Sequence, residues 1–265
     1  MKRFLRHSLS TLTYYALRLR NGHHKGVRIL TYHRVTDAHP KERLCVPVAN
    51  FARQMRYLRL LGFQTVTLAQ VHRAFHGQGH LPPRPIVVSF DDGFEDNWLH
   101  AHPILARHGF RGVFFIPSDF IEASGAHQHH PDDRPMSWEH LETLLAEGHE
   151  IGAHSISHHK LTQLDTVEAY WEVRGSKEIL EERLKRPVDF FCYPSGAYNQ
   201  LIQRAVKASG YLGACTVEPG ANYPGANLFS LKRTEVSAFD TLWDFHKKLF
   251  GAYDWLHVAV QRMKQ

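Results

Sequence analysis

From residue 27 onward, short apolar runs rich in β-branched and aromatic residues alternate with longer segments whose apolar positions repeat at helical spacing. The short runs predict buried strands, and the longer segments predict amphipathic helices. The predicted strands cover residues 28–32, 64–66, 86–90, 113–116, 150–153, 190–193, 212–215 and 228–233. The predicted helices cover residues 51–61, 68–75, 96–108, 138–147, 167–184, 201–208 and 241–249.

Residues that favour helix ends flank several of these segments. Ser137 is placed to cap the helix that begins at residue 138, because a serine side chain can accept a hydrogen bond from a free N–H of the first turn. A glycine, which readily adopts the left-handed conformation that ends many helices, follows four of the segments: Gly62, Gly109, Gly148 and Gly210. These residues support the predicted helix boundaries.

The alternation of strands and helices is typical of repeated β-α units. Because the repeats continue without a break in composition, they predict one α/β barrel rather than two domains. We expect a single distorted (β/α) barrel of about seven strands over residues 27–250. A basic segment, residues 1–26, would precede this barrel, and a tail, residues 251–265, would follow it.

The N-terminal segment has the pattern of a basic amphipathic helix. At about 100° per residue, one face is apolar and carries Leu5, Leu9, Leu12, Ala16 and Leu19. Two interpretations are open: a helix packed on its own domain, or a helix that lies on an anionic membrane surface through residues 1–20. Serines and threonines interrupt the apolar stretch, and no clear cleavage site follows it. We therefore expect a cytoplasmic or peripheral membrane location rather than export.

Composition narrows the range of partners and cofactors. The formal charge is +6, but Lys and Arg are dispersed and no nucleic-acid-binding motif is present, so we expect no nucleic-acid partner. Cys45, Cys192 and Cys215 lie far apart, as expected for reduced thiols rather than a disulfide scaffold. Because the chain has 21 histidines, only their spacing can mark metal ligands. The irregular segment 118–135 predicts a surface loop whose three histidines face solvent.

Residue types suited to catalysis and metal binding follow three of the predicted strands. His33 follows the first strand in "LTYHRV", Asp91 and Asp92 end the third in "SFDDG", and His154 and His158 follow the fifth in "GAHSISHHKL". In a parallel α/β barrel, the carboxyl ends of the strands meet at one face and form the active site. The sequence therefore predicts a catalytic site built from these five residues.

The spacing of these residues indicates a metal hydrolase. His154 and His158 are four apart, and with one aspartate they would supply two nitrogens and one oxygen, the ligand pattern of a catalytic zinc with an open position. The second aspartate could then accept a proton from water, provided that Gly93 allows a turn that brings both carboxylates to one side. A glycosidase would instead need two carboxylates about 5 to 9.5 Å apart on either side of the bond, which two adjacent aspartates do not provide.

These motifs together resemble a known family. "SFDDG", followed by "HSISHHKL" and then by "FCYPSGAYN", is similar to the polysaccharide deacetylases, also called the NodB-homology or carbohydrate esterase family 4 group. The resemblance extends over roughly residues 27–236. It implies an N-deacetylase that releases acetate from an N-acetylated glycan with the help of Zn²⁺ or another divalent metal.

The resemblance also implies roles for individual residues. Asp91 would be the general base, and the metal would be held by Asp92, His154 and His158. In the third motif, Tyr193 would supply a backbone N–H to the tetrahedral intermediate, and Pro194 would help to shape the groove.

Two positions depart from the family pattern. No arginine stands immediately before Tyr193 to steady the base, so Arg233 in "LKRTEV" is the candidate replacement, and a plain surface or structural arginine is the alternative. The late leucine-histidine motif that supplies the general acid is absent near the C-terminus. The chain instead resembles the branch with an N-terminal "YH" strand and a circularly permuted barrel, in which His33 would be the acid; a structural histidine is the alternative.

Two other functions remain open on the sequence. One is a metal amidase or deformylase of the same fold that acts on a small or lipid-linked amide. The other is a catalytically silent sugar-binding module, although a silent module would have no need of both aspartates and both histidines.

Overall fold

The computed structural model describes residues 10–11, 13–15, 26–121 and 133–254. The predicted apolar face of the N-terminal helix, the three histidines of the 118–135 loop and most of the C-terminal tail lie outside the described residues. Within the described part of the chain, no helix has the length and apolar character needed to cross a bilayer.

Seven of the eight predicted strands are present in the predicted order, and the described residues form four further two-residue strands that were not predicted. The strands are β1 (Val27–Tyr32), β2 (Arg34–Val35), β3 (Cys45–Val46), β4 (Gln64–Thr65), β5 (Pro85–Phe90), β6 (Val113–Ile116), β7 (Glu150–Ala153), β8 (Phe190–Cys192), β9 (Gly213–Cys215), β10 (Ala221–Asn222) and β11 (Thr234–Glu235). The helices are α1 (Val48–Leu60), α2 (Leu68–Phe75), α3 (His102–Arg107), α4 (Trp138–Ala146), α5 (Thr166–Leu184), α6 (Gln200–Ala208) and α7 (Leu242–Leu249).

The main sheet is parallel and curls back on itself. Its strands run in the order β1, β5, β6, β7, β8, β9, with β10 antiparallel to β1 at the edge. The segment 231–236 joins the two ends of this row: Leu231 donates its N–H to the Ala214 carbonyl of β9, and Val236 donates to the Thr31 carbonyl of β1. The predicted distorted barrel is confirmed.

The two faces of the sheet bury different side chains. On β5, Val87 packs in a small inner cluster, whereas Val88 packs against the helices on the outside, as the alternation of side chains along a strand requires. Leu68 and Val71 of α2 complete the inner cluster near the amino ends of the strands. The Glu150 carboxylate accepts the first N–H groups of α2, from residues 68 and 69 at 2.6 and 3.0 Å.

The predicted helix ends agree with the structure. The Ser137 hydroxyl accepts the His140 N–H at the start of α4, in a reciprocal capping arrangement. Each of the four glycines placed after helices adopts a positive φ, between 65° and 84°.

Two predicted elements are corrected. Residues 228–233 are not a strand, because Leu228–Ser230 form a 3₁₀ turn in which the Asn227 side chain accepts the Phe229 N–H, and regular pairing resumes only at Thr234. The predicted helix 96–108 begins with a π-helical turn, Asn97–Ala101, before α3. Pro103 lacks the N–H that a regular α-helix would use at that point.

The described part of the N-terminal helix contacts α7. The Tyr14 hydroxyl lies 2.8 Å from His246 Nε2, and its ring packs edge-on against Trp243. Lys247 donates a hydrogen bond to the Ser10 hydroxyl at 2.9 Å. These contacts agree with a helix packed on its own domain, and the membrane hypothesis stays a prediction.

Candidate active site and metal centre

A cavity of about 700 Å³ opens at the carboxyl ends of β1, β5, β7 and β8. The residues that line it include most of those selected from the sequence: His33, Asp91, Asp92, His154, His158, Tyr193 and Arg233. Pro194 is buried in the turn that follows β8. The fold therefore brings together residues up to 200 positions apart in the chain, between His33 and Arg233.

The adjacent aspartates reach the cavity by different routes. Asp91 continues the extended strand, since its N–H donates to the Tyr32 carbonyl at 3.0 Å, and it lies on the same face as Val87. Asp92 would point to the opposite face in an extended strand, but its φ is 73° and that of Gly93 is 68°. A side chain at Gly93 would also approach Ile116 to 3.2 Å. This left-handed turn brings the second carboxylate to the cavity beside the first.

Asp92 and the two histidines form a cluster suited to a metal ion. Asp92 Oδ1 lies 3.4 Å from His154 Nε2 and 3.2 Å from His158 Nε2. His154 Nδ1 lies 2.7 Å from the Cys192 carbonyl, so Nδ1 carries a proton, and in the neutral ring Nε2 presents its lone pair to the carboxylate. Asp92 Oδ1 is buried and has no hydrogen-bond partner.

These separations match the ligand shell of zinc. Ligand atoms about 2.0–2.1 Å from a tetrahedral Zn²⁺ are separated from one another by about 3.3–3.4 Å. The carboxylate oxygen without a partner and the two imidazole nitrogens therefore fit a divalent cation. Burial would raise the pKa of Asp92, but the neighbouring imidazoles, which can donate Nε2–H to the carboxylate while no metal is bound, hold it well below its ordinary value.

Arg233 holds Asp91 in a bidentate ion pair. Its two terminal nitrogens donate to the two Asp91 oxygens at 2.7 Å each, and both side chains are at most 3% exposed. Burial would raise the pKa of Asp91, but Arg233 outweighs it and lowers the pKa below the ordinary value. Arg233 is thus not a surface residue; it is placed to steady Asp91 and keep it ionised.

His33 lies beside this pair. Its Nε2 is 3.9 Å from Asp91 Oδ2, and its side chain is 20% exposed toward the cavity. The next residue, Arg34, is anchored by Asp96 at 2.6 Å and by Asp133, so the strand end that carries His33 is held firmly. Its role as a general acid stays a prediction.

The structure corrects the role expected for Tyr193. Its N–H donates to the Cys215 carbonyl at 3.1 Å as part of the sheet, so this N–H does not point into the cavity. Pro194 has no N–H, and the next residue, Ser195, lines the cavity with a φ of 54°. Among the bonds of the described residues, the Ser195 N–H has no acceptor. Sequence reasoning missed Ser195, although proline in "YPSG" makes its N–H the first one after Tyr193.

A second group of potential ligands does not form a comparable site. His102, Glu147 and His149 lie together near the amino end of β7, with His102 Nε2 at 2.8 Å from Glu147. However, His149 Nδ1 accepts the Gly112 N–H, so in the neutral ring the other nitrogen carries the proton and has no lone pair for a metal. This group is a hydrogen-bonded network.

Comparison with known proteins relates the chain to one family. A family model described as "Polysaccharide deacetylase" matches residues 78–214. The chain is 28% identical to the "Putative polysaccharide deacetylase YxkH" of Bacillus subtilis over 225 residues, 85% of this chain and 75% of that protein. It is 25% identical over 243 residues to a Staphylococcus aureus "Poly-beta-1,6-N-acetyl-D-glucosamine N-deacetylase", which covers 83% of each.

Solved structures share the fold. The Streptococcus pyogenes deacetylase PplD in complex with acetate superposes with a TM-score of 0.77 at 20% identity, over 84% of this chain and 98% of that one. IcaB from Ammonifex degensii gives a TM-score of 0.73 at 24% identity, over 86% of this chain and 97% of that one.

Proposed function

Since the chain belongs to the polysaccharide deacetylase family, we propose that it is a metal-dependent N-deacetylase that hydrolyses the acetamide of N-acetylated sugars in a polysaccharide or glycoconjugate. The observation that carries this proposal is the paired arrangement of Asp91 and Asp92. One carboxylate is compensated by a buried arginine, and the other faces two imidazole nitrogens at 3.2 and 3.4 Å with no hydrogen-bond partner.

The metal-binding residues in this proposal are Asp92, His154 and His158. Their nitrogen and oxygen donors suit zinc. When bound, a divalent cation would polarise the amide carbonyl and lower the pKa of a water molecule beside it.

The remaining residues handle protons and developing charge. Asp91 accepts the proton of the attacking water. Arg233 occupies one lone pair of each carboxylate oxygen, and Oδ2 also accepts the Cys192 S–H at 3.7 Å, so among the described residues the second lone pair of Oδ1 is the one left to accept that proton. The Ser195 N–H donates to the carbonyl oxygen as it gains negative charge, an interaction commonly worth about 3 kcal/mol. His33 donates a proton to the nitrogen that leaves as an amine. Water and amide are thereby converted to acetate and a free amino sugar.

The relatives support a polymeric substrate. Curated relatives are named poly-N-acetylglucosamine N-deacetylases, and the cavity volume of about 700 Å³ lies within the range of ligand sites. We therefore propose N-acetylglucosamine-containing glycans as the substrate class, with an amidase or deformylase acting on a small or lipid-linked amide as the alternative.

Metal analysis combined with acetate release tests the proposal. The protein would be stripped with a chelator, reloaded with Zn²⁺, and offered a panel of N-acetylated glycans and small formamides. We expect acetate from at least one glycan, its loss on chelation, and its return with Zn²⁺. A protein that binds zinc but releases acetate from no N-acetylhexosamine substrate would contradict the proposal.

A membrane contact through residues 1–20 is a separate proposal. It is supported by the basic, amphipathic sequence of this segment. Flotation with anionic liposomes would compare the full chain with a variant that lacks residues 1–22, and equal recovery of the two would end the membrane hypothesis.

A further inference from the structure

The loop between His154 and His158 has an unusual backbone for a segment without glycine. Ser155 has a φ of 64° and His158 a φ of 61°, both in the left-handed region that residues with a Cβ rarely occupy. Such a conformation persists only where surrounding contacts hold it in place. The contacts that hold this loop therefore bear on the position of His158.

The two histidines of the proposed metal site are held differently. The His154 side chain is 3% exposed, and its Nδ1 is fixed on the Cys192 carbonyl. The His158 side chain is 36% exposed, so packing restrains it much less. The location of the His158 imidazole consequently depends on the path of its own backbone.

Several backbone groups of the loop form hydrogen bonds with residues 118 and 119 or within the loop itself. The carbonyls of Ser155 and Ile156 accept the N–H groups of Ser118 and Asp119, at 3.2 and 3.0 Å. The His158 N–H donates to the Ser155 hydroxyl at 2.9 Å. The two N–H groups at the centre of the loop, from residues 156 and 157, find their acceptor elsewhere.

That acceptor is Glu172 on α5. Its Oε2 accepts the Ile156 and Ser157 N–H groups at 2.9 and 3.0 Å, and its Oε1 accepts the Ser157 hydroxyl at 2.5 Å. Hydrogen bonds to an ionised carboxylate are shorter and stronger than those between neutral groups. Glu172 thus links the middle of the loop to helix α5 by hydrogen bonds. Glu172 itself does not line the cavity.

We propose that Glu172 is a positioning residue that sets the place of His158 through the loop and thereby sets the metal affinity of the site. The inference rests on the proposed metal-dependent function. Replacing outer partners that orient metal ligands commonly weakens metal binding by about 10- to 100-fold. A similar loss is expected here, even though Glu172 makes no hydrogen bond to a ligand side chain.

The variants separate geometry from charge. Glu172→Gln keeps the length of the side chain but removes the charge and one acceptor oxygen. Glu172→Asp keeps the charge but draws the carboxylate away from the loop. The matched control is Glu178→Gln on the same helix, because Glu178 is 53% exposed and pairs only with Arg174 among the described residues.

The experiment measures the Zn²⁺ dissociation constant by competition with a chromophoric chelator, at one pH, for the wild type and each variant. We expect Glu172→Gln and Glu172→Asp to bind Zn²⁺ about tenfold more weakly, and Glu178→Gln to match the wild type. In a His158→Ala background, Glu172→Gln should cause no further loss, because the side chain that it positions is gone.

Three results would overturn the inference. Wild-type affinity in Glu172→Gln would show that the loop holds its path without the carboxylate. Wild-type Zn²⁺ affinity in Glu172→Asp would show that Glu172 acts only through its charge. An equal loss of affinity with and without the His158 side chain would show that Glu172 acts only through general stability. Failure of the proposed function looks different: the wild type would bind no Zn²⁺, or His158→Ala would leave its affinity unchanged.

Discussion

Replacing Arg233 by Met should destabilise the protein strongly, because it would leave the Asp91 carboxylate buried without a counter-charge. Arg233 makes two 2.7 Å hydrogen bonds to Asp91 and donates its Nε–H to the Thr216 carbonyl at 2.8 Å. Removing one partner of a buried ion pair commonly costs about 3–5 kcal/mol. We expect a loss of that size in the free energy of unfolding at pH 7, a large part of the total of a typical domain.

The pH dependence of this loss has a defined sign. The pKa of Asp91 is lower in the folded protein than in the unfolded chain, so the ion pair contributes its stability above the unfolded-state pKa of about 4. That contribution is lost as the pH falls through the folded-state pKa. Without Arg233, burial raises the pKa of Asp91 in the variant, so the difference between the wild type and Arg233→Met should be largest at high pH and should shrink as the pH falls.

Urea unfolding followed by tryptophan fluorescence, with chelator present to exclude metal effects, measures this loss. The double variant Arg233→Met with Asp91→Asn should be more stable than Arg233→Met alone, because no buried charge is left unpaired. Arg174→Met is the control; it breaks an exposed pair with Glu178 and should change stability by less than about 0.5 kcal/mol. A loss below about 1 kcal/mol for Arg233→Met, or no recovery in the double variant, would show that Arg233 does not compensate a buried Asp91 charge.

Three further predictions concern the site and the sheet. Asp91→Asn should abolish acetate release while Zn²⁺ stays bound, whereas Asp92→Ala should lose the metal; the opposite outcome would exchange their roles. His33→Ala should retain Zn²⁺ but turn over about 10²- to 10⁴-fold more slowly, and wild-type rates would make His33 structural. Burial raises the pKa of Glu150 to about 7 in the folded protein. The free energy of unfolding should therefore fall by up to about 3 kcal/mol as the pH rises from 4.5 to 7, because the folded protein favours the protonated carboxyl. Urea unfolding of Glu150→Gln should show a flatter pH profile than that of the wild type.

The sequence predicted those features that depend on residues close together in the chain. Apolar runs that predict strands, capping residues that mark helix ends, and candidate site residues that directly follow strands can all be recognised from a short stretch of sequence. His33, Asp91 and His154 could be assigned to one site because the carboxyl ends of parallel strands converge. The residues that support them could not be assigned in this way.

Arg233 and Glu172 illustrate why the supporting residues could not be assigned from the sequence. The arginine reaches Asp91 only because segment 231–236 closes the sheet between β9 and β1, and the sequence there predicted a strand at residues 228–233, where the structure has a 3₁₀ turn followed by a short strand at 234–235. Glu172 is one of several charged residues on α5, and nothing in the helix pattern distinguishes it from Glu178. The partners of both are set by tertiary contacts between segments that are 15 to 142 residues apart.

The charges around the two aspartates predict how metal binding should depend on pH. Arg233 compensates Asp91, so one uncompensated carboxylate, Asp92, is left facing His154 and His158. Burial would lower the pKa of His154, but Asp92 and Asp91 raise it above its ordinary value, so a proton would compete with the proposed metal for this ring. Zn²⁺ affinity should therefore fall with decreasing pH, by about tenfold per unit for each proton displaced. Titrations of the wild type at pH 6 and pH 8 test this, and equal affinities would show that His154 binds no proton in the metal-free site.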